Sequence, residues 1–183
     1  DDLLDAMGID VIGLYARNTI FGFPLADWKE WKAPWDQNLL VPGEFNVRKD
    51  HNGDLLIYPE GDLSVPPSGR MPVSSYFFDT IIRQEPIQED QLNPDDNLEE
   101  FEPVSDDDLD YFRTEIERLS ISDRSIIANF GGTALGDIAL VPAPFLKHPK
   151  GIRDISEWYM STTIRQDYVH SVFKKQAEIA VQN

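Results

Sequence analysis

Ser125-Ile126-Ile127-Ala128-Asn129-Phe130-Gly131-Gly132-Thr133-Ala134-Leu135-Gly136-Asp137 is the stretch on which the fold turns. Ser125 to Phe130 is short and apolar and predicts a buried strand, and Gly131 to Asp137 predicts a small-residue loop leaving it. Parallel α/β folds put ligand-contacting loops at this position. Adjacent glycines permit close backbone approach and leave N–H groups to meet anionic oxygens. Gly131, Gly132 and Thr133 are therefore candidate substrate contacts, with Asn129 or Asp137 supplying a directional hydrogen bond. The glycine spacing is neither a Walker loop nor a dinucleotide fingerprint, and a tight turn needing φ > 0 accounts for it equally well.

Outward from this stretch the elements alternate. Upstream, Ser105 followed by Asp106, Asp107 and Asp108 gives a helix N-cap with an acidic first turn, and Leu109, Phe112, Ile116 and Leu119 supply a stripe for burial. At the start of the chain, Leu3, Leu4 and Met7 have helical spacing, Gly8 is placed as a helix stop, and Ile9 to Tyr15 reads as a strand. A helix–Gly–strand unit is an αβ joint of a parallel sheet, so Ile9 to Tyr15 and Ser125 to Phe130 are expected in one parallel sheet. Downstream, Ile155 to Met160 forms the core of a short helix, and Val169, Val172, Phe173, Ala177 and Ala180 make an amphipathic stripe. With no helix start ahead of Leu3 and no Gly or Pro stop before Asn183, the domain is expected to continue beyond both ends.

Between the two expected sheet strands the texture changes. From Phe21 to Pro72, short extended pieces are separated by Gly and Pro. Phe45, Val47, Leu55, Ile57 and Tyr58 flank the turn Lys49 to Asp54, whose Asn52-Gly53 predicts a β-hairpin. Trp28, Trp31 and Trp35 precede it, either as a plug that packs the insertion or as a ligand-stacking surface. Pro66-Pro67-Ser68-Gly69-Arg70-Met71-Pro72 reads as a proline-stiffened loop with one charge. Arg70 is a candidate to hold a substrate carboxylate bidentately, and pairing with the acidic segment is its alternative. The organisation that follows is residues 1–20 as helix end and strand, 21–83 as the inserted hairpin and loops, 84–104 as an acidic connection, and 105–183 as helix, strand, glycine loop and helices.

The formal net charge is −17, from 33 acidic and 16 basic residues. Twelve of those acids fall between Gln84 and Asp110, a stretch without Lys or Arg, leaving 21 acids against 16 bases elsewhere. The acidity is local and predicts a solvated connecting segment, with no clustered positive charge for nucleic acid. There is no Cys, which removes disulfides and thiolate chemistry from this segment. His51, His148 and His170 have no metal-ligand spacing and no recognisable catalytic partner, so no metal site is expected here. No run approaches the roughly 20 apolar residues of a membrane span. A soluble, cytoplasmic protein is expected.

Ser125 to Thr133, then a loop, the Trp158-Tyr159-Met160 helix and Asp167-Tyr168-Val169-His170 resemble the middle of a uroporphyrinogen decarboxylase-like domain. That superfamily also holds corrinoid-linked methyltransferases. Gln166 to His170 departs from the family's usual helix start by lacking its proline. Residues 1 to 15 and 120 to 183 carry the resemblance, and the hairpin with Ser68-Gly69-Arg70-Met71-Pro72 resembles one branch of the family. The resemblance implies an internal fragment of an α/β (β/α)8 barrel carrying an inserted antiparallel β-hairpin. It also implies a small-molecule or tetrapyrrole substrate with carboxylates, and a parent enzyme that is a decarboxylase-like lyase needing no cofactor in this segment. The methyltransferase alternative implies a zinc site elsewhere in the parent and a corrinoid partner. A third expectation is a non-catalytic binding fragment that self-associates as a homo-oligomer.

Overall fold

The computed structural model describes residues 2–98, 101–129 and 140–183. Helix α1 (Asp2–Met7) ends at Gly8, whose φ of +64° costs a glycine little. The Gly8 N–H donates to the Asp5 carbonyl and the Ile9 N–H to the Leu4 carbonyl. This crossed pair of bonds satisfies carbonyls that the last turn leaves open, and it turns the chain into the sheet. Strand β1 (Val11–Leu14) follows.

Its partner lies far along the sequence, beyond six further strands that form separate sheets. These are β2 (Lys29–Lys32), β3 (Asn38–Val41), β4 (Val47–Lys49), β5 (Leu55–Ile57), β6 (Gly69–Met71) and β7 (Asp79–Thr80). Strand β8 (Ser125–Ala128) pairs with β1 in parallel, Val11 opposite Ser125 and Leu14 opposite Ala128. Helix α2 (Asp106–Leu119) enters just before β8 and packs on this pair. The Ser105 hydroxyl accepts the Asp108 N–H at its N-terminus, and Phe112 and Leu119 close on Leu14, Ile12 and Ile126. The expected four-residue stripe is half used, since Leu109 and Ile116 remain about two-fifths exposed. Two short strands are too narrow to cover it.

The insertion is larger than one hairpin. Strands β2 and β3 form an antiparallel pair, and β4-β5-β6-β7 form a four-stranded antiparallel sheet in sequence order. The hairpin read from Asn52-Gly53 is the β4–β5 unit, with Val47 opposite Ile57 and Lys49 opposite Leu55. In its turn the Asp50 carboxylate accepts the N–H groups of Asn52 and Asp54. Strands of two to four residues bury little, and the core is supplied by rings. Phe45 meets Phe23, Phe78 and Trp31 edge-on with centroids 6.2, 6.1 and 5.1 Å away, and Trp31 also meets Trp35. Such edge-to-face pairs are favourable beyond the area they bury. Gly69 lies so close beneath Phe21 that a Cβ would stand 2.6 Å from its ring.

The C-terminal part is helical. Asp154 caps α3 (Ile155–Ile164) by accepting the Glu157 N–H, and α4 (Gln166–Gln182) follows. Trp158, Tyr168, Val169 and Val172 bury against Val141 and Ile152. Gln176 turns inward, whereas Ala177 and Ala180 of the expected stripe face solvent.

The acidic segment corrects an expectation. It is not simply a solvated tether: Ile87, Leu92 and Leu98 pack on the helical core, and two 3-10 turns, Glu89–Gln91 and Pro94–Asn97, order it. Asn97, 3% exposed, donates to the Ile152 carbonyl and accepts from the Ile152 N–H and the Tyr168 hydroxyl. Glu85, Glu89, Asp90 and Asp95 are exposed, and there Glu89 pairs with Arg165 and Asp95 with Lys175.

The described residues thus mix helices with three small sheets, and no closed barrel forms among them. No helix of the described residues is long and apolar enough to cross a membrane.

Asn97→Ala deprives two buried donors, the Ile152 N–H and the Tyr168 hydroxyl, of the Asn97 acceptor and is expected to lower the unfolding free energy by about 2 kcal/mol. Tyr168→Phe, which removes one of those donors, is expected to cost about 1 kcal/mol. Urea unfolding of both variants at unchanged m-value measures this, and an Asn97→Ala midpoint equal to wild type would refute the docking role.

Candidate functional site

Both strands of the parallel pair end on the same side, β1 at Leu14 and β8 at Ala128, and the Asn129 N–H extends the ladder to the Leu14 carbonyl. Asn129 is exposed at this end. Gly131, Gly132, Thr133 and Asp137 lie outside the described residues. Tyr15, two-thirds exposed, folds its ring back over Gly13, where a Cβ would stand 2.3 Å from the ring. Ile12 and Leu14 point toward α2. By the two-residue period of a strand, Gly13 and the Tyr15 ring are therefore on the opposite face.

Arg70 is on strand β6, not on a loop. No strand is legible there, because the four residues between Pro67 and Pro72 are too few to show a periodicity. The pairing comes from neighbours on both sides: Arg70 stands opposite Leu56 of β5 and Asp79 of β7. Its Nε and Nη2 both donate to Oδ2 of Asp54, whose other oxygen accepts the Val73 N–H at 3.0 Å. Asp54 is nearly inaccessible while the Arg70 side chain is half exposed. Hydrogen bonding from Arg70, then from Val73, holds the Asp54 carboxyl below the usual carboxylate range, and Asp54 raises Arg70 in turn. The carboxylate held by Arg70 is thus the one at the end of the hairpin turn, and the pair ties β6 to the start of β5.

A guanidinium that sequence reasoning passed over has a different environment. Arg83 is half-buried after β7, donating Nη2 to the Ala143 carbonyl at 2.8 Å and Nη1 to the Lys147 carbonyl at 3.5 Å. Its Nε is buried without a hydrogen-bond partner, and it makes no ion pair with any described residue. Burial, then the nearby charge of Arg153, pulls Arg83 down to about 10, which leaves it protonated at neutral pH. The acceptor Ala143 is fully buried with φ +42°, a sparsely populated conformation for alanine. Beside Arg83 opens a cleft of about 490 Å³ walled by Pro66, Ile82 and Pro149, with Lys147, His148 and Lys150 on its rim. Two signals were present in the sequence: Arg83 is the last base before the acidic run, and Lys147-His148-Pro149-Lys150 places three basic side chains within four positions.

His51 is in the β4–β5 turn, His148 on the cleft and His170 on α4. Among the described residues no three His, Asp or Glu side chains converge as a metal would require.

Because the Asp54 carboxyl is held low in the folded chain, its stabilising effect is complete above the ordinary carboxylate pKa of about 4 and is lost as pH falls through the depressed value. The gap in melting temperature between wild type and Asp54→Asn should therefore stay constant from neutral pH down to about pH 4 and close below it. Thermal melts across that range test the brace. A gap that widens on acidification contradicts it.

No protein-family model, no curated protein and no solved structure matches this chain, so the geometry of the sites has to carry their interpretation.

Proposed function

We propose that the chain is part of a uroporphyrinogen decarboxylase-like α/β barrel enzyme acting on a carboxylate-bearing small molecule, tetrapyrroles among them. The observation that carries this reading is the parallel pairing of β1 with β8, which leaves the whole insertion, the acidic segment and α2 between two adjacent strands. Parallel neighbours require a crossover, and a helix packed on one face is its usual form. Helix α2 covers the face of Ile12, Leu14 and Ile126. Val11, Gly13 and Ile127 look the other way, and strands lining a barrel interior divide their residues in this manner.

The insertion leaves from the C-terminal end of β1, the end at which such barrels bind substrate. In this reading Asn129 orients a substrate carboxylate by a hydrogen bond; Gly131, Gly132, Thr133 and Asp137, the other candidate contacts, lie outside the described residues. Arg70 acts as the brace of the inserted sheet, since its fork is already held by Asp54.

The test is titration of the full-length protein with uroporphyrin, followed by quenching of tryptophan fluorescence. Saturable binding is expected, weakened by more than about tenfold in Asn129→Ala, the counterpart of one lost hydrogen bond to a charged group. Absence of saturable quenching would overturn the reading. Methylation of a thiol from methylcobalamin by the same protein would move it to the methyltransferase branch.

A further inference from the structure

Two arginines with little exposed side chain hold carboxylates: Arg124 and Arg165, 11% and 10% exposed, pair with Asp5 and Glu89. Arg83, like Arg153, donates to backbone carbonyls, but among the described residues it makes no ion pair and its buried Nε proton has no acceptor. A half-buried cation without an anion is costly, and the cost is greater beside a second cation such as Arg153. In a chain with 33 acidic residues, a partner was available to selection at little expense in composition.

The surroundings repeat the asymmetry. Arg83, Lys147, His148 and Lys150 border the cleft against a single acid, Glu85. Lys147 is drawn toward Glu60 and Asp62, whereas Lys150 makes no ion pair with any described residue. Pro66, Ile82 and Pro149 give the cleft stiff apolar walls, and its volume of about 490 Å³ is that of a small-molecule site. The carbonyls of Ala143 and Lys147 hold the guanidinium in one place before any ligand arrives, which lowers the entropy lost on binding.

We infer that this cleft binds a small molecule with an apolar body and a terminal oxyanion, carboxylate or phosphate, whose charge is held by Arg83 and seconded by Lys150. None of the lining residues comes from the ends of β1 or β8. The lining shares no residue with the substrate position proposed above, and the inference stands or falls independently of it.

Calorimetric titration of the full-length protein with benzoate, phenyl phosphate and the neutral analogue benzamide tests the inference. Benzoate or phenyl phosphate should bind saturably and benzamide should not, and the better of the two anions identifies the headgroup. Arg83→Gln should weaken that anion about tenfold, as loss of a charge-assisted contact requires. Lys150→Gln, an exposed change that the fold tolerates, should weaken it about two- to fivefold. Binding of neither anion, equal binding of benzamide, or unchanged affinity in a folded Arg83→Gln would overturn the site. Should Arg83→Gln fail to fold, unchanged affinity in Lys150→Gln decides against it.

Discussion

The C-terminal half of the molecule closes around the guanidinium of Arg153, which has no solvent exposure. It donates to the carbonyls of Lys150, Val141 and Asp96, so three irregular segments meet on one side chain. Burying a charge costs several kcal/mol unless its donors are all engaged, and irregular backbone leaves carbonyls that helices and sheets would have paired. Each deficit answers the other. Asn97 completes the joint by bonding both backbone groups of Ile152, next to Arg153. Gly151 passes so near that a Cβ there would stand 2.5 Å from the side-chain Oδ1 of Asn97. Arg83 extends the same solution to Ala143 and Lys147. The described part of the segment between β8 and α3 is thus ordered by its own Arg153 together with Asn97 and Arg83 from outside it.

What could be read from the sequence was what local chemistry determines. The Gly8 helix stop, the Ser105 cap, the apolar run at Ser125 and the Asn52-Gly53 hairpin each carry their signal within a few residues. The parallel pairing of β1 and β8 was also legible, because two short apolar strands joined through a helix have few other arrangements. Strand β6 was not, since Gly69 to Met71 becomes a strand only through partners on either side. For the same reason the partner of Arg70 was misjudged: composition pointed to the acidic segment, while the register brings Asp54 within reach. Leu92, Asn97 and Leu98 were hidden in a stretch whose composition is dominated by outward-facing acids. Arg83 was invisible as a site because a lone arginine carries no motif, and its setting depends on a loop some sixty residues away.

The inserted module shows how short strands are made to hold. Strands of two to four residues carry few ladder bonds, and isolated hairpins of this size are marginal in water. Phe45 joins the parts, touching Phe23, Phe78 and Trp31 while packing with Ile57 through the same cluster. The polar brace from Arg70 to Asp54 lies across the adjoining strands. Apolar rings fix how the strands pack, and the ion pair fixes which residues stand opposite. A register slip by one residue would send Arg70 to the other face and strand Asp54 in a nearly inaccessible position.

A cationic cleft on a protein of net charge −17 has an electrostatic consequence. Long-range attraction does not bring an anion to it, since the field beyond the Debye length of about 8 Å is set by the surplus of acids. Selectivity has to come at contact. Within the cleft the nearest charges are Arg83, Lys147 and Lys150 against the single acid Glu85, and a desolvated guanidinium acts far more strongly there than across water. The outward acids of the neighbouring segment are themselves engaged, Glu89 by Arg165 and Asp95 by Lys175, which withdraws two of the 16 bases from the rest of the surface. What distinguishes Arg83 is that it is half-buried beside a cleft without an ion pair to any described residue. An anion that reaches it meets a rigid fork, whereas one that stays outside meets mainly repulsion.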